Sequence, residues 1–491
     1  MAVYTETEKR LSRQDPLTSE EYVVKAMPSI LGSFDMTAIY IMIVFYITNV
    51  CTAVNAGAAA FTYLLLGGVL FCIPCVIATA QLGALFPHEG SLYNWTHKAF
   101  GGYWSFFVAF CAWFPGVLVM VTAADNVMAY MQGLNSNWFI EPWQQGLVIM
   151  GVIILSGVIA VQRFRMVQNV INVAACTIFV AVFLLAIGSA VWLAKGHAPA
   201  TSFTKLSDWS PNGGNIAVFG LVILAYLGTE TPLNMGGELI NRRVVTRHLL
   251  WGTLLVFVGY FVAAFAVLVV EGPANGSSLS SFIAATDATL GKLAGNFVAL
   301  FIMGFFLLSA VAYNYAYARL LLVAGIDQRL PVSVGRLNRN RVPANAILFQ
   351  TIVAAVLAGV IFIGAPLFVH IGQPLDLANQ VYNVMLASST LVWATSASFL
   401  FFNLLVFYFR DRRAFRAQLI FPSPVIWISI IFGVASCLFA IVDSVVNSWT
   451  PLIGNQNWWY IVGGLTLFCL IIAAIGSMFA SSEADWQSLS K

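Results

Sequence analysis

Apolar runs of about 20 residues, each long enough to cross a bilayer as a helix, recur from Ile30 almost to the C-terminus. Short polar stretches separate them. The pattern predicts twelve spans, at roughly 30–54, 61–86, 104–131, 146–161, 167–193, 216–239, 249–270, 293–323, 345–365, 381–409, 424–444 and 459–480. The sixth is interrupted. Leu221–Arg247 reads LVILAYLGTETPLNMGGELINRRVVTR, and its middle is Leu227-Gly228-Thr229-Glu230-Thr231-Pro232. Gly costs a helix about 1 kcal/mol and Pro about 3, and Pro also removes a backbone donor and clashes with the preceding turn. The helix is therefore weakest beside Glu230. Irregular backbone at membrane depth persists only where protein or a water-filled cavity surrounds it.

Composition agrees with the pattern. Of 491 residues, 60% are hydrophobic and 9% charged, against about 25% charged in soluble domains. The expected class is an all-α membrane protein forming one helical unit. Residues 1–29 read as a polar cytoplasmic tail without the apolar core of a signal peptide. Residues 30–410 form a core of ten helices, 411–480 two further helices and 481–491 a second tail. Nineteen of the 23 Lys and Arg fall in the segments on the N-terminal side of the membrane, whereas only Lys195, Lys205 and Lys292 fall on the other. By the positive-inside rule, both termini are expected in the cytoplasm, with the protein multi-pass in the plasma (inner) membrane.

Charges at depth are few. Asp35 and Glu238 lie near inner ends, and Asp125, Lys292 and Asp443 near outer ends. Glu230 alone lies near mid-bilayer, where an acid costs roughly 2.5–3.5 kcal/mol on insertion scales and is a functional candidate by default. Water, a cationic ligand or a proton must compensate it. Glu238 is expected to pair with the Arg242/Arg243 loop. Tyr226, Trp113 and Tyr313 read as packing or site aromatics, with Tyr226 favoured because it adjoins the break and an aromatic ring can bind an amine. Asn314, Ser309 and Ser388–Thr390 are polar at depth and suit interhelical hydrogen bonds. All seven cysteines lie in apolar segments. Cys72-Ile73-Pro74-Cys75 reads as packing, because redox or metal chemistry needs more ligands and water.

Three stretches in order carry a resemblance: Ala80–Pro87 (AQLGALFP) followed by His88–Trp95 (HEGSLYNW); Tyr226–Glu230 with Gly237-Glu238-Leu239 and Arg242-Arg243; and Asp327–Pro331 through Arg341–Asn345. Together they resemble the amino acid permeases of the amino acid–polyamine–organocation superfamily. The resemblance implies a LeuT-type fold: a 5+5 inverted repeat, about 30–193 and 216–409, plus two C-terminal helices, with the first and sixth spans broken around the substrate. Half-helix N-termini would then face a substrate carboxylate, and freed carbonyls or an acid its ammonium. The matching part of the first span, Val44–Asn49, contains no Gly or Pro, so Tyr46, Thr48 and Asn49 must support any unwinding. A Lys early in the fifth span, common in proton-coupled relatives, is replaced by the neighbourhood of Gln168, Asn169 and Asn172.

The expected function is transport of amino acids or related amines by alternating access, coupled to protons or to a counter-substrate. No cofactor, metal or nucleic acid is expected. Candidate substrate contacts are Tyr46, Thr48, Asn49, Trp113, Tyr226, Gly228, Thr229, Glu230, Tyr313 and Asn314, with Glu230 and Tyr226 also gating or coupling. A channel or a membrane-embedded sensor of the same fold is the alternative. An enzyme is disfavoured, because the five histidines lie in loops or at span edges.

Overall fold

In a computed structural model the described residues are 11–12, 16–368, 374–450 and 452–489. Lys9, Arg10, Arg13, His370 and Lys491, used above in the readings of charge and histidine placement, lie outside them. Among the described residues ten helices are long and apolar enough to cross a membrane, from Ala59–Leu85 to Asn455–Ala484. An eleventh candidate is a bent pair, Ser33–Val44 and Asn49–Ala56, whose halves meet at 46°. The sixth predicted span is not a continuous helix. Helix Ala217–Leu224 ends after 8 residues, and a tight 3-10 helix, Thr231–Glu238, takes over beyond the break. By length and composition the described residues give ten to eleven spans, and the predicted sixth is not among them because the residues that weaken it do break it.

The polarity of the bundle is inverted relative to a water-soluble fold. Phe183, Leu250, Leu467 and Phe479 are largely exposed, whereas Gln81, Asn94, Gln168, Asn314, Gln350 and Asn403 are fully buried. Apolar side chains outside and hydrogen-bonding ones inside suit a hydrocarbon surround. Helix ends also reach further than the apolar runs. The fourth begins at Pro142, where Pro at the first turn lacks only a donor that has no partner there anyway, and the tenth runs Pro374–Arg410.

Two long helices, Gly102–Leu134 and Lys292–Ile326, pack along each other at the centre. Gly116 on the first lies directly against the ring of Tyr317 on the second, so small against large lets the backbones approach. The two broken segments meet at the arginine-rich end of the bundle. There Leu31 N donates to Glu238 O at 3.0 Å and Ile240 N to Leu31 O at 3.2 Å. The N-terminal helix Thr18–Ala26 packs across the same end. Ser19 donates to the Asp327 carboxylate through its backbone N (2.9 Å) and hydroxyl (3.0 Å), and Glu20 pairs with Lys98 at 2.8 Å.

Candidate functional site

The first segment unwinds at Phe45–Thr48 without Gly or Pro. Other helices satisfy the backbone groups this frees. Ser309 Oγ donates to Met42 O (2.7 Å) and Tyr313 Oη to Ile43 O (2.8 Å). Tyr260 Oη accepts from Tyr46 N (3.1 Å) and from Asn49 Nδ2 (3.3 Å), and donates to Val44 O (3.0 Å). Ala225 O, where the sixth segment begins to unwind, lies 3.4 Å from the same hydroxyl. One phenol thus ties the two breaks together.

In the sixth segment, Gly228 takes φ +97°, a region that costs an L side chain about 1–2 kcal/mol. A Cβ there would also meet Trp393 at 3.0 Å and Ile43 at 3.2 Å. Gly is required both by the turn and by the close approach of the two segments. Glu230 follows, 3% exposed, its Oε1 accepting from Trp393 Nε1 at 3.3 Å. Below it is a void of about 10 Å³ bordered by Ser91, Asn234 and Tyr317, about the room of one water.

A cavity of about 270 Å³ lies between the breaks, near the small end of the range for ligand pockets. Its polar lining includes Tyr46, Asn49, Thr122, Tyr313, Thr390 and Trp393. No charged side chain lines it among the described residues. Thr52, Asn383 and Trp449 line it as well. Trp393 lines it, and the Glu230 carboxylate that its indole N–H meets does not.

Of the sequence candidates, Tyr46, Asn49 and Tyr313 line this cavity, and Gly228 does not line it but packs against Trp393 and Ile43, which do. Thr48 starts helix Asn49–Ala53. Thr229 lies 3.5 Å from Thr79, hydroxyl to hydroxyl. Tyr226 is fully buried, its hydroxyl donating to Leu64 O at 3.2 Å. Trp113 is not brought to the cavity and stacks on Phe349 at 5.6 Å. Asn314 also points elsewhere, donating to Ser156 Oγ (3.1 Å) and accepting from Gln350 Nε2 (2.8 Å). Gln168 and Asn172 hold the start of the first segment, donating to Asp35 O (3.2 Å) and Oδ1 (2.7 Å). Glu238 does not pair with the Arg242/Arg243 loop as expected. Its carboxylate accepts from Arg319 Nε at 2.9 Å, both side chains fully buried, because the 3-10 turn aims it inward rather than along the loop. Sequence reasoning missed Tyr260 and Trp393. The signal available for each was a polar handle on an aromatic ring at membrane depth, which needs a partner when buried.

Among the described residues the fold is an all-helical bundle of ten to eleven span-length apolar segments, with two broken segments flanking a solute-sized cavity. The amino acid permease family matches residues 31–482, and the chain belongs to that family. It is 24% identical to the gamma-aminobutyric acid permease of Bacillus subtilis over 60% of this chain and 63% of that protein. It is 26% identical to the lysine-specific permease LysP of Escherichia coli over 61% and 63%, and 23% identical to the aromatic amino acid transport protein AroP of Corynebacterium glutamicum over 71% and 74%. The chain thus spans less than two thirds of the first two relatives.

Proposed function

We propose that this permease is a secondary active transporter of amino acids or related amines in the plasma membrane, with both termini cytoplasmic. The two broken segments count as its first and sixth spans, which makes twelve. Residues 30–193 and 216–409 are its inverted repeats. What supports the reading is the cavity between the two breaks and its contrast with the arginine-rich end, closed by Glu238–Arg319 and the N-terminal helix. That asymmetry suits one state of an alternating-access cycle, in which this face is open to the outside. Tyr46, Asn49, Tyr313 and Trp393 contact the solute, and Gly228 lets the breaks close on it. Glu230 takes its ammonium or a proton once Trp393 swings aside. An uncharged lining above one acid favours neutral or cationic solutes over acidic ones, in keeping with relatives named for gamma-aminobutyric acid and lysine.

A thermal-shift screen against amino acids and polyamines, followed by uptake into proteoliposomes, tests this. Saturable uptake of a neutral or cationic amino acid or of a polyamine is expected. Uptake of glutamate alone would overturn the substrate reading, and unitary currents in planar bilayers would favour the channel. Glu230→Gln should keep the fold and lose uptake or its pH response. Unchanged uptake over roughly pH 5–8, where a perturbed carboxylate can titrate, would reduce Glu230 to scaffold.

A further inference from the structure

A second group of buried acids lies at the closed end, apart from Glu230. Glu89, in the turn between helices Ile73–Leu85 and Ser91–Phe100, is 3% exposed. Its Oε2 accepts from Gly237 N at 2.8 Å, and its Oε1 is buried without a hydrogen-bond partner. Glu238, the next residue after Gly237, is 1% exposed and bonds Arg319. The Arg319 guanidinium is held between the rings of Phe164 (4.9 Å) and Tyr315 (5.1 Å), with Nη1 and Nη2 lacking hydrogen bonds. Two buried carboxylates therefore lie near one buried cation, which Glu238 contacts directly.

An uncompensated buried charge costs several kcal/mol even after relaxation, and neighbouring carboxylates relieve that cost by keeping a proton. Glu89 is the acid that keeps it, since Glu238 has the direct bond to Arg319. Burial first, and then the charge of Glu238, push the Glu89 carboxyl well above the usual carboxylate range, with Arg319 and the Gly237 amide opposing. Four elements converge here: the Pro87–Gly90 turn, the end of the sixth segment, the Lys292–Ile326 helix and the N-terminal helix Thr18–Ala26, whose Val23 packs at Gly237 and whose Glu20 pairs with Lys98 and lies 3.9 Å from His88. Glu238 O also receives Leu31 N, so the lower halves of both broken segments meet at the cluster. Toward the bundle centre, Asn234 O accepts from Gly90 N at 3.0 Å and Asn234 Oδ1 from Ser91 Oγ at 2.6 Å. Asn234 and Ser91 also border the small void under Glu230.

We propose that Glu89 holds a proton beside the Glu238–Arg319 pair while this end is closed, and releases it to the cytoplasm when the end opens: a proton site distinct from Glu230. The release breaks the carboxyl O–H bond of Glu89, passes the proton to entering water and leaves a hydrated carboxylate. The inference rests on the transporter reading for its timing but not for the existence of the site. The ion pair Glu238–Arg319 alone would bring no exchangeable proton; Glu89 adds it.

Two measurements separate the site from the transport reading. Infrared difference spectra of the purified protein across a pH step read protonated carboxyls directly. A protonated-carboxyl band is expected in wild type, lost in Glu89→Gln and kept in Glu230→Gln. The same band in Glu89→Gln as in wild type would overturn the proposal. Glu89→Gln should fold, since its amide still accepts from Gly237 N and can donate to Glu238, and thermal unfolding checks this. In proteoliposomes containing a pH dye, protons moved per substrate should fall severalfold in Glu89→Gln, with substrate-induced thermal stabilisation retained. An unchanged ratio would also overturn it. No uptake by either protein, with the band still lost in Glu89→Gln, would support the site and remove the transport reading.

Discussion

Tyr260→Phe removes one oxygen atom at the junction of the two breaks. The ring keeps its packing against Phe45 (centroids 5.0 Å apart) and Tyr226 (5.6 Å), so no cavity opens. What is lost is the acceptor for Tyr46 N and Asn49 Nδ2 and the donor to Val44 O. Tyr46 N still reaches Val44 O at 3.1 Å, and the Asn49 amide borders the cavity, where water can take over. The loss is therefore less than three orphaned groups and about that of one, roughly 1–3 kcal/mol. Because the bonds fix the unwound geometry, part of the loss should appear as weaker substrate binding, with each 1.4 kcal/mol worth about tenfold in affinity. Thermal unfolding of the purified protein, with and without substrate, measures both parts. Tyr130→Phe is the control: its hydroxyl is buried without a partner, so removal should be neutral or slightly stabilising. If Tyr260→Phe unfolds with Tyr130→Phe and binds as wild type does, the tie between the breaks carries no energy and the reasoning fails.

Two more substitutions test neighbouring steps. Gly228→Ala should destabilise by about 2–5 kcal/mol, combining about 1–2 for the backbone conformation with about 1–3 for contacts with Trp393 and Ile43. Gly57→Ala, also at positive φ but in open space, should cost only the first part, and equal unfolding temperatures for the two would refute the close approach. Burial is the main cause raising the Asp327 carboxyl from 3.8 to about 6, against the lowering effects of Ser19, Arg329 and Tyr93. A raised folded value means stability present below about pH 4 and lost as the pH climbs through about 6. The total is about 3 kcal/mol, of which roughly 1 falls between pH 5 and 7. Asp327→Asn should flatten that part of the profile; a slope matching wild type would show that another group sets it.

The break in the sixth segment was legible because Gly228 and Pro232 act on the backbone locally, whatever surrounds them. The break in the first was not, because nothing in Phe45–Thr48 forbids a helix. It is held open by Ser309, Tyr313 and Tyr260, hydrogen-bond donors and acceptors that arrive from two other helices. Choosing residues by depth also cannot choose a helix face. Tyr313 and Asn314 are neighbours in sequence, but one step turns a helix by about 100°, so Tyr313 lines the cavity while Asn314 bonds Ser156 and Gln350. Trp113 failed to reach the cavity for the same reason. The partner of Glu238 was hidden by distance along the chain, since local spacing favoured Arg242 and Arg243 over Arg319.

The bond from Ser19 to Asp327 closes a loop of 308 residues. During synthesis the carboxylate that anchors the first short helix is made only after most of the hydrophobic segments have been threaded into the lipid. Long-range contacts are slow to form, and domains assemble as the chain is extruded. The seal at this end is thus a late event in biogenesis, and a ribosome stalled before residue 327 would leave its nascent chain with an amino-terminal helix tied only to early residues such as Lys98.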